Sequence, residues 1–364
     1  MNNINKKSIV VITTSFRGGG AQKIAVNLAN HYSAKHKVEL IAFMPEGPYY
    51  IDIITGVKKT FLNVRTRNSL IKLFYVLKKT KPDYILSVTR DSNIIVGLIA
   101  LLFKSKIIFR EANVLDGTLS MSFVKKNIFL NLMRFTYQFA DKVIANSPDT
   151  KKDLLKYNIV KESKCKVIPN PVIPDNVNFL MNKKVSHEWF DDPNIKTIIN
   201  VGRLSQQKNQ KLLINAFEKS LKINNSLRLI IIGVGKEYKN LINLVKALEI
   251  DEYVQILDFK QNIYPYYKNS DLFVLSSLYE GFGNVIVEAM ASAIPVICTD
   301  CSGGPSFILR NGKFGDLIPL DDPKTLSNLI IKRINNVDHK IISLARKRAF
   351  EFSISNISEE YLKF

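Results

Sequence analysis

SSLYEGFGNVIVEAMASAIPVICTDCSGG, residues 276–304, decides how this chain reads. It divides into a glycine-containing loop, a short helix and a strand. Gly281 and Gly283 flank Phe282 and offer the loop backbone conformations closed to other residues. Asn284 is placed as the N-cap of a helix running to about Ala293, and Pro295 forbids its continuation. That helix, NVIVEAMASA, is apolar almost all round, as expected of one buried between layers. Glu288 is its one charge, and a buried carboxylate costs several kcal/mol unless something hydrogen-bonds it. No Lys or Arg stands three or four residues away on either side. Its partner is therefore a distant Arg, a set of backbone amides, or a ligand such as a sugar diol. Glu280 lies eight residues earlier, on the far side of the glycines.

Working outward, strand and helix signals alternate along both halves of the chain. SIVVITT (8–14) is a β-branched run of the kind found in buried parallel strands, and three glycines, 18–20, then open an amphipathic helix. SLIKLFYVLKK (69–79) reads as a basic amphipathic helix, YILSVTR (84–90) as a strand, NIIVGLIALLF (93–103) as a buried helix and KIIFREAN (106–113) as another strand. This alternation predicts an α/β fold with doubly wound parallel sheets. Ligands on such sheets gather beyond the carboxyl ends of the strands. That places Thr89, Arg90, Arg110, Glu111 and Asn113 at the rim of a cleft, each of them as a structural or solvated residue sooner than a catalytic one. Pro169, Pro171 and Pro174, with the polar stretch that follows, mark a domain boundary. In the second half, Arg203 and Lys208 in GRLSQQK are spaced for two cations to converge on one diphosphate. Gly18–Gly20 and Gly233–Gly235 each miss the full dinucleotide fingerprint, which weakens an oxidoreductase reading.

A chain of 364 residues has room for two domains, and 46% hydrophobic content supports real cores. Three cysteines suggest a reducing compartment, and Cys298-x-x-Cys301 lacks the second ligand pair of a metal site. The N-terminus has no signal-peptide pattern, and the longest apolar run, 94–103, is too short to cross a bilayer. Charge is unevenly spread. Residues 1–180 hold 28 Lys and Arg against 12 Asp and Glu, whereas residues 181–364 hold 24 against 20. That asymmetry points to an anionic partner for the first half: nucleic acid, anionic lipid or a phosphorylated acceptor. A nucleic-acid reading lacks an interleaved aromatic and basic recognition motif. The segment 119–141 mixes Phe and Ile with Lys125, Lys126 and Arg134, and suits either packing on the sheet or a membrane interface.

Glu280-x7-Glu288 within YEGFGNVIVEAMASAIPVICTD resembles the signature of retaining nucleotide-sugar glycosyltransferases of glycosyltransferase family 4. The resemblance runs over nearly the whole chain and is tightest over residues 197–320. It implies the GT-B architecture: two facing Rossmann-like domains with a deep interdomain cleft. The implied division is an acceptor-binding domain over 1–172, a linker over 173–194, and a nucleotide-sugar-binding domain over 195–346. A tail, 347–364, would pack back on the first domain. Glu288 would hold the nucleotide ribose and Glu280 would lie beside the transferred sugar. Arg203 and Lys208 would take the leaving diphosphate. Gly19 and Gly20 would pack near it, although Gln22 replaces the Glu common in the family. Phe259 and Lys260 would read the nucleobase, and Gly281, Phe282, Gly283 and Asn284 would complete the site. Phe307 stands where the family commonly has Glu, and the His common near Ala112 is missing.

The expectation is a retaining glycosyltransferase moving a hexose or N-acetylhexosamine from a UDP-sugar. Catalysis would rest on Glu280, Arg203 and Lys208. No Asp-x-Asp occurs, so protein cations would replace a metal, and no cofactor is expected. The charge of the first half favours a lipid-linked (polyprenyl diphosphate) acceptor at an anionic membrane surface, and no nucleic acid. The enzyme would be peripheral on the cytoplasmic face of the inner membrane and build a bacterial surface polysaccharide such as O-antigen.

Overall fold

The computed structural model describes residues 6–17, 19–117 and 122–363. Gly18 and the start of the 119–141 segment therefore lie outside the described residues. Two compact units emerge, one of residues 1–172 with 354–364, the other of residues 173–353.

The first unit holds strands β1 (Ser8–Thr13), β2 (Lys37–Ala42), β3 (Val57–Phe61), β4 (Tyr84–Ser87), β5 (Lys106–Glu111), β6 (Lys142–Ala145) and β7 (Cys165–Val167). They form one parallel sheet in the order β3-β2-β1-β4-β5-β6-β7. Alternate side chains of the strands enter two different cores. On β1, Val10 and Ile12 join the core under helices α2 (Leu70–Thr80), α3 (Arg90–Ile99) and α4 (Phe123–Tyr137). Ile9 and Val11 join the core under α1 (Gly20–Ser33). A sheet buried on both faces needs continuous apolar strands, which SIVVIT supplies.

The α1 side also carries the returning tail helix, Ile354–Leu362. Tyr32 donates to the Ser358 carbonyl at 2.6 Å, and buried Tyr361 donates to the Pro169 carbonyl at 3.3 Å. The Lys142 ammonium donates to the Glu360 and Lys363 carbonyls at 2.8 and 2.7 Å, so a cation closes the carbonyl end of that helix. The chain crosses back at Ile354. Residues 347–350, which the sequence reading gives to the tail, instead end the second-unit helix His339–Phe350, because Arg348 and Ala349 are buried there.

The second unit holds β8 (Lys196–Val201), β9 (Leu227–Ile232), β10 (Val254–Leu257), β11 (Leu272–Leu275), β12 (Val296–Thr299) and β13 (Asp316–Ile318), again all parallel, ordered β10-β9-β8-β11-β12-β13. Residues 173–194, read as linker, belong to this unit. The helix of the opening stretch spans Asn284–Ala291 and packs against His339–Phe350, where Arg346 Nε donates to the Ala291 carbonyl at 3.2 Å. Three local readings need correction. Gly283, at φ +95°, is the N-cap, and Asn284 is the first helical residue. Gly283 takes the positive φ, whereas Gly281 does not. The helix ends at Ala291 because Ala293 turns left-handed, at φ +61°.

Candidate functional site

In the second sheet the chain winds outward from β8 to β10, then returns to place β11 on the other side of β8. Ligands on open parallel sheets bind at such a switch point, beyond the carboxyl ends of the strands. Four of the loops there carry the second-unit candidates or brace them: 202–209 after β8, 233–237 after β9, 258–262 after β10, and 276–283 after β11. From the β10 tip to the β11 tip is three strand spacings, about 14 Å, of the order of an extended nucleoside diphosphate.

Backbone contacts brace these loops. Gly202 N–H donates to the Ile232 carbonyl and Leu204 N–H to the Val234 carbonyl, both at 3.0 Å. Gly233, at φ +157°, lets the two loops meet: a Cβ there would stand 1.9 Å from the Gly202 oxygen. The β11 loop is held from both sides. Leu278 N–H donates to the Gln207 carbonyl at 2.8 Å, and Gln207 Nε2 returns a bond to the Tyr279 carbonyl at 2.9 Å. On the opposite side Glu280 N–H donates to the Ser302 carbonyl at 3.0 Å, and Thr299 Oγ1 to the Ser277 carbonyl at 2.6 Å. A Cβ on Gly303 (φ +121°) would stand 2.0 Å from the Glu280 oxygen, so this crossing requires glycine.

Within that frame sits a buried ion pair. Lys208 Nζ lies 2.5 Å from Glu280 Oε1, and Ser277 Oγ donates to the same oxygen at 2.6 Å. The Lys208 and Glu280 side chains are 16% and 7% exposed, so solvent screens them little. Arg203 is exposed at the β8 tip, with its carbonyl accepting from Gln210 Nε2 at 3.1 Å. Glu288 is buried on the helix that begins beside this pair. Phe259 and Lys260 lie half-buried past the β10 tip, with Lys260 Nζ 5.9 Å from the Tyr266 ring. The Phe282 side chain points away from a ligand surface: it is 2% exposed, with its ring edge-on to Phe352 at 5.4 Å and 6.5 Å from Phe307. Phe307 thus fills an aromatic cluster where the family commonly has an acid.

The structure brings ten of the twelve sequence candidates onto the second sheet; Gly19 and Gly20 belong to the first unit, at the start of α1. Ser277, Gln207 and Thr299 are not singled out by the sequence, whereas Gly303 lies in the stretch Cys301-Ser302-Gly303-Gly304-Pro305 that resembles the family's next glycine turn. The signal available for Ser277 was a polar pair, Ser276-Ser277, ending an apolar strand. Cys298 and Cys301 are both buried, and burial pushes the Cys301 thiol up to about 12, so neither is a thiolate at neutral pH.

At the first-unit rim the structural reading applies to two residues. Arg110 and Glu111 are each 1% exposed and act as internal struts. Arg110 donates to the Val88 carbonyl at 3.1 Å and to Asn170 Oδ1 at 2.6 Å. Glu111 pairs with Arg90 at 2.9 Å and accepts from the Tyr137 hydroxyl at 2.8 Å. Burial and the neighbouring Glu111 charge raise the Tyr137 phenol well above its ordinary value. Arg90, at the α3 N-terminus after β4, reaches across to the β5 end, donating to Glu111 and to the Asn113 carbonyl at 3.1 Å, at the edge where ligands gather.

Comparison with known proteins adds three findings. The family model "Glycosyl transferases group 1" matches residues 182–348, and "Glycosyltransferase Family 4" matches residues 18–176. Among relatives, a glycosyltransferase of Methanocaldococcus jannaschii is 28% identical, over 86% of this chain and 89% of its own. The N-acetylgalactosamine-N,N'-diacetylbacillosaminyl-diphospho-undecaprenol 4-alpha-N-acetylgalactosaminyltransferase of Campylobacter jejuni is 27% identical, over 96% and 97%. In fold, the chain is similar to Anabaena Alr3699/HepE solved in complex with UDP-glucose, with a TM-score of 0.81, 21% identity and 98% of each chain covered.

Proposed function

The chain belongs to the family-4 type of glycosyltransferases with the GT-B fold, and from that premise we propose a retaining, metal-independent transferase. It moves a hexose or N-acetylhexosamine from a UDP-sugar to a glycan carried on polyprenyl diphosphate, in bacterial surface polysaccharide synthesis. The observation that carries this reading is the Lys208–Glu280 pair, buried at the switch point of the second sheet with Arg203 at the adjoining strand tip. Two Campylobacter jejuni relatives named as acting on undecaprenol-linked glycans support the acceptor, and the UDP held by the Anabaena neighbour supports the donor.

The reaction breaks the bond between the anomeric carbon and the diphosphate oxygen and forms one from that carbon to the acceptor hydroxyl oxygen. Negative charge grows on the departing diphosphate, and positive charge on the sugar. Arg203, Lys208 and the amides opening the helix Asn284–Ala291 stabilise the first charge without reorganising. The Glu280 carboxylate lies beside the second, with Ser277 and Lys208 fixing its orientation. Glu288 takes the ribose hydroxyls. The acceptor attacks from the face the diphosphate leaves, and its proton passes to a diphosphate oxygen. The enzyme works at the inner face of the cell membrane.

The test is transfer of label from UDP-sugars to a polyprenyl diphosphate glycan in the presence of EDTA, with the product's anomeric configuration read by NMR. Label in the lipid fraction, with the donor's configuration kept, is the expected result. Transfer restored only by magnesium or manganese would overturn the metal-free mechanism. Transfer only to water-soluble sugars would move the enzyme to a soluble acceptor.

A further inference from the structure

On the second unit, a cleft of about 400 Å³ opens beside the loop that follows β10. One wall is the segment 180–185, the other the loop 260–262 with the short helix Tyr264–Lys268. The walls are fastened to each other. Asn262 Nδ2 donates to the Leu180 carbonyl at 2.8 Å, and its Oδ1 accepts from the Tyr264 amide at 3.3 Å. Lys268 Nζ donates to Asn182 Oδ1 at 2.7 Å. The cleft is therefore built into the folded unit, at a size that holds a small molecule.

Its charge is of one sign. Lys183, Lys184 and Lys260 line it, and no Asp or Glu does. Elsewhere in this unit cations are matched: Lys196 pairs with Asp271, Lys222 with Glu218 and Arg333 with Asp316. At the cleft the ammonium groups stand by rings instead. Lys183 Nζ is 4.2 Å from the centre of the Phe179 ring, and Lys260 Nζ 5.9 Å from that of Tyr266. None of the three lysines forms an ion pair among the described residues. Cations gathered in a concave site repel one another and concentrate anions there.

We propose that this cleft binds a small molecule through a diphosphate group, at a site separate from the nucleotide-sugar site. A phosphoryl group carries about two negative charges, so two linked ones suit three ammonium groups where one carboxylate does not. Lysine holds phosphate as a point charge, without the fork geometry of Arg. A nucleic-acid strand needs a basic groove that tracks its backbone, not one cleft. The donor's own diphosphate cannot serve both places. Arg203 stands at the β8 tip, and β10 lies two strand spacings away, about 10 Å. Lys260 belongs to the loop that carries Phe259, so a ligand here braces the segment assigned to the nucleobase. Only that link rests on the donor reading.

Calorimetry with inorganic diphosphate, on protein saturated with UDP, tests the proposal. The wild type should bind one diphosphate per chain, and the variant Lys183→Gln, Lys184→Gln should bind it at least about tenfold more weakly. Both lysines are exposed, so the variant should fold. The variant Lys219→Gln, Lys246→Gln, which removes two exposed charges elsewhere on the unit, should bind like the wild type. ADP in place of inorganic diphosphate separates the sources: tighter binding at the same lysines identifies a nucleotide, and equal binding the free ion. No diphosphate bound by the UDP-saturated wild type overturns the site. So does equal weakening in the two double variants, or equal binding by the wild type and Lys183→Gln, Lys184→Gln. If UDP itself does not bind, the donor reading fails, and the same variants titrated without UDP still decide the cleft.

Discussion

Lys208 and Glu280, 72 residues apart in sequence, form one buried pair with Nζ and Oε1 2.5 Å apart. The resemblance gives them separate tasks, one at the diphosphate and one at the sugar. In the structure neither is placed without the other. A buried pair is weak evidence for stability as such, but removing one member leaves an uncompensated charge.

Lys208→Ala should therefore destabilise the protein by about 3 kcal/mol, against a smaller loss for the double variant Lys208→Ala, Glu280→Gln. Denaturant titration of both variants checks this. Additive losses, with the double variant the worse of the two, would mean that the pair is not coupled.

Glu288→Ala should weaken nucleotide binding by about tenfold or more, whereas Glu280→Gln should chiefly lower kcat. Glu288 is assigned to the ribose, and Glu280 to the charge that develops at the sugar. Calorimetry with the nucleotide, alongside steady-state kinetics, separates the two. Unchanged nucleotide affinity in folded Glu288→Ala removes the ribose assignment.

Gly303→Ala should lower both stability and turnover, because its Cβ meets the Glu280 carbonyl at 2.0 Å and its φ of +121° suits only glycine. Gly56→Ala is the control, since the nearest atom to its Cβ, Ser33 Oγ, is 3.4 Å away. Its stability should stay within about 0.5 kcal/mol of the wild type. Thermal melts of the two variants that coincide would contradict the bracing role of the 303 crossing.

Acid should loosen the tail helix. Burial alone would raise the Glu359 carboxyl, but hydrogen bonds from Lys35 and His31 outweigh it and hold its pKa below the ordinary 4.5. A depressed carboxyl contributes stability above its unfolded value and loses it as pH falls through the folded one. Hydrogen exchange over 354–362, corrected for intrinsic rates, should therefore quicken on acidification in the wild type and less so in Glu359→Gln. Equal acid responses would assign the effect to other groups.

The sheets were legible because buried parallel strands need apolar runs, and SIVVIT and LRLIII hold four consecutive apolar residues each, 9–12 and 229–232. The Glu280-to-Glu288 spacing was legible because loop and helix are contiguous. Pairing was not: no local pattern brings Lys208 to Glu280 or sets Phe282 edge-on to Phe352. The cap was misplaced by one residue because Asn is a good cap by type, but the left-handed turn at that point admits Gly283 more readily. Leu98, Leu101 and Leu102 are exposed, yet they read as buried because a helix apolar on every side gives periodicity no polar face to find.

We expect the switch point of the second sheet to take a nucleoside diphosphate, with Arg203 and Lys208 on the terminal phosphate. Titration calorimetry of UDP and UMP into the wild type and Arg203→Ala, with GDP and GMP in parallel, tests it most directly. The wild type should prefer a diphosphate over its monophosphate by at least about tenfold, and Arg203→Ala should close most of that gap. Equal binding of diphosphate and monophosphate by the wild type, or a gap that Arg203→Ala leaves intact, would contradict it.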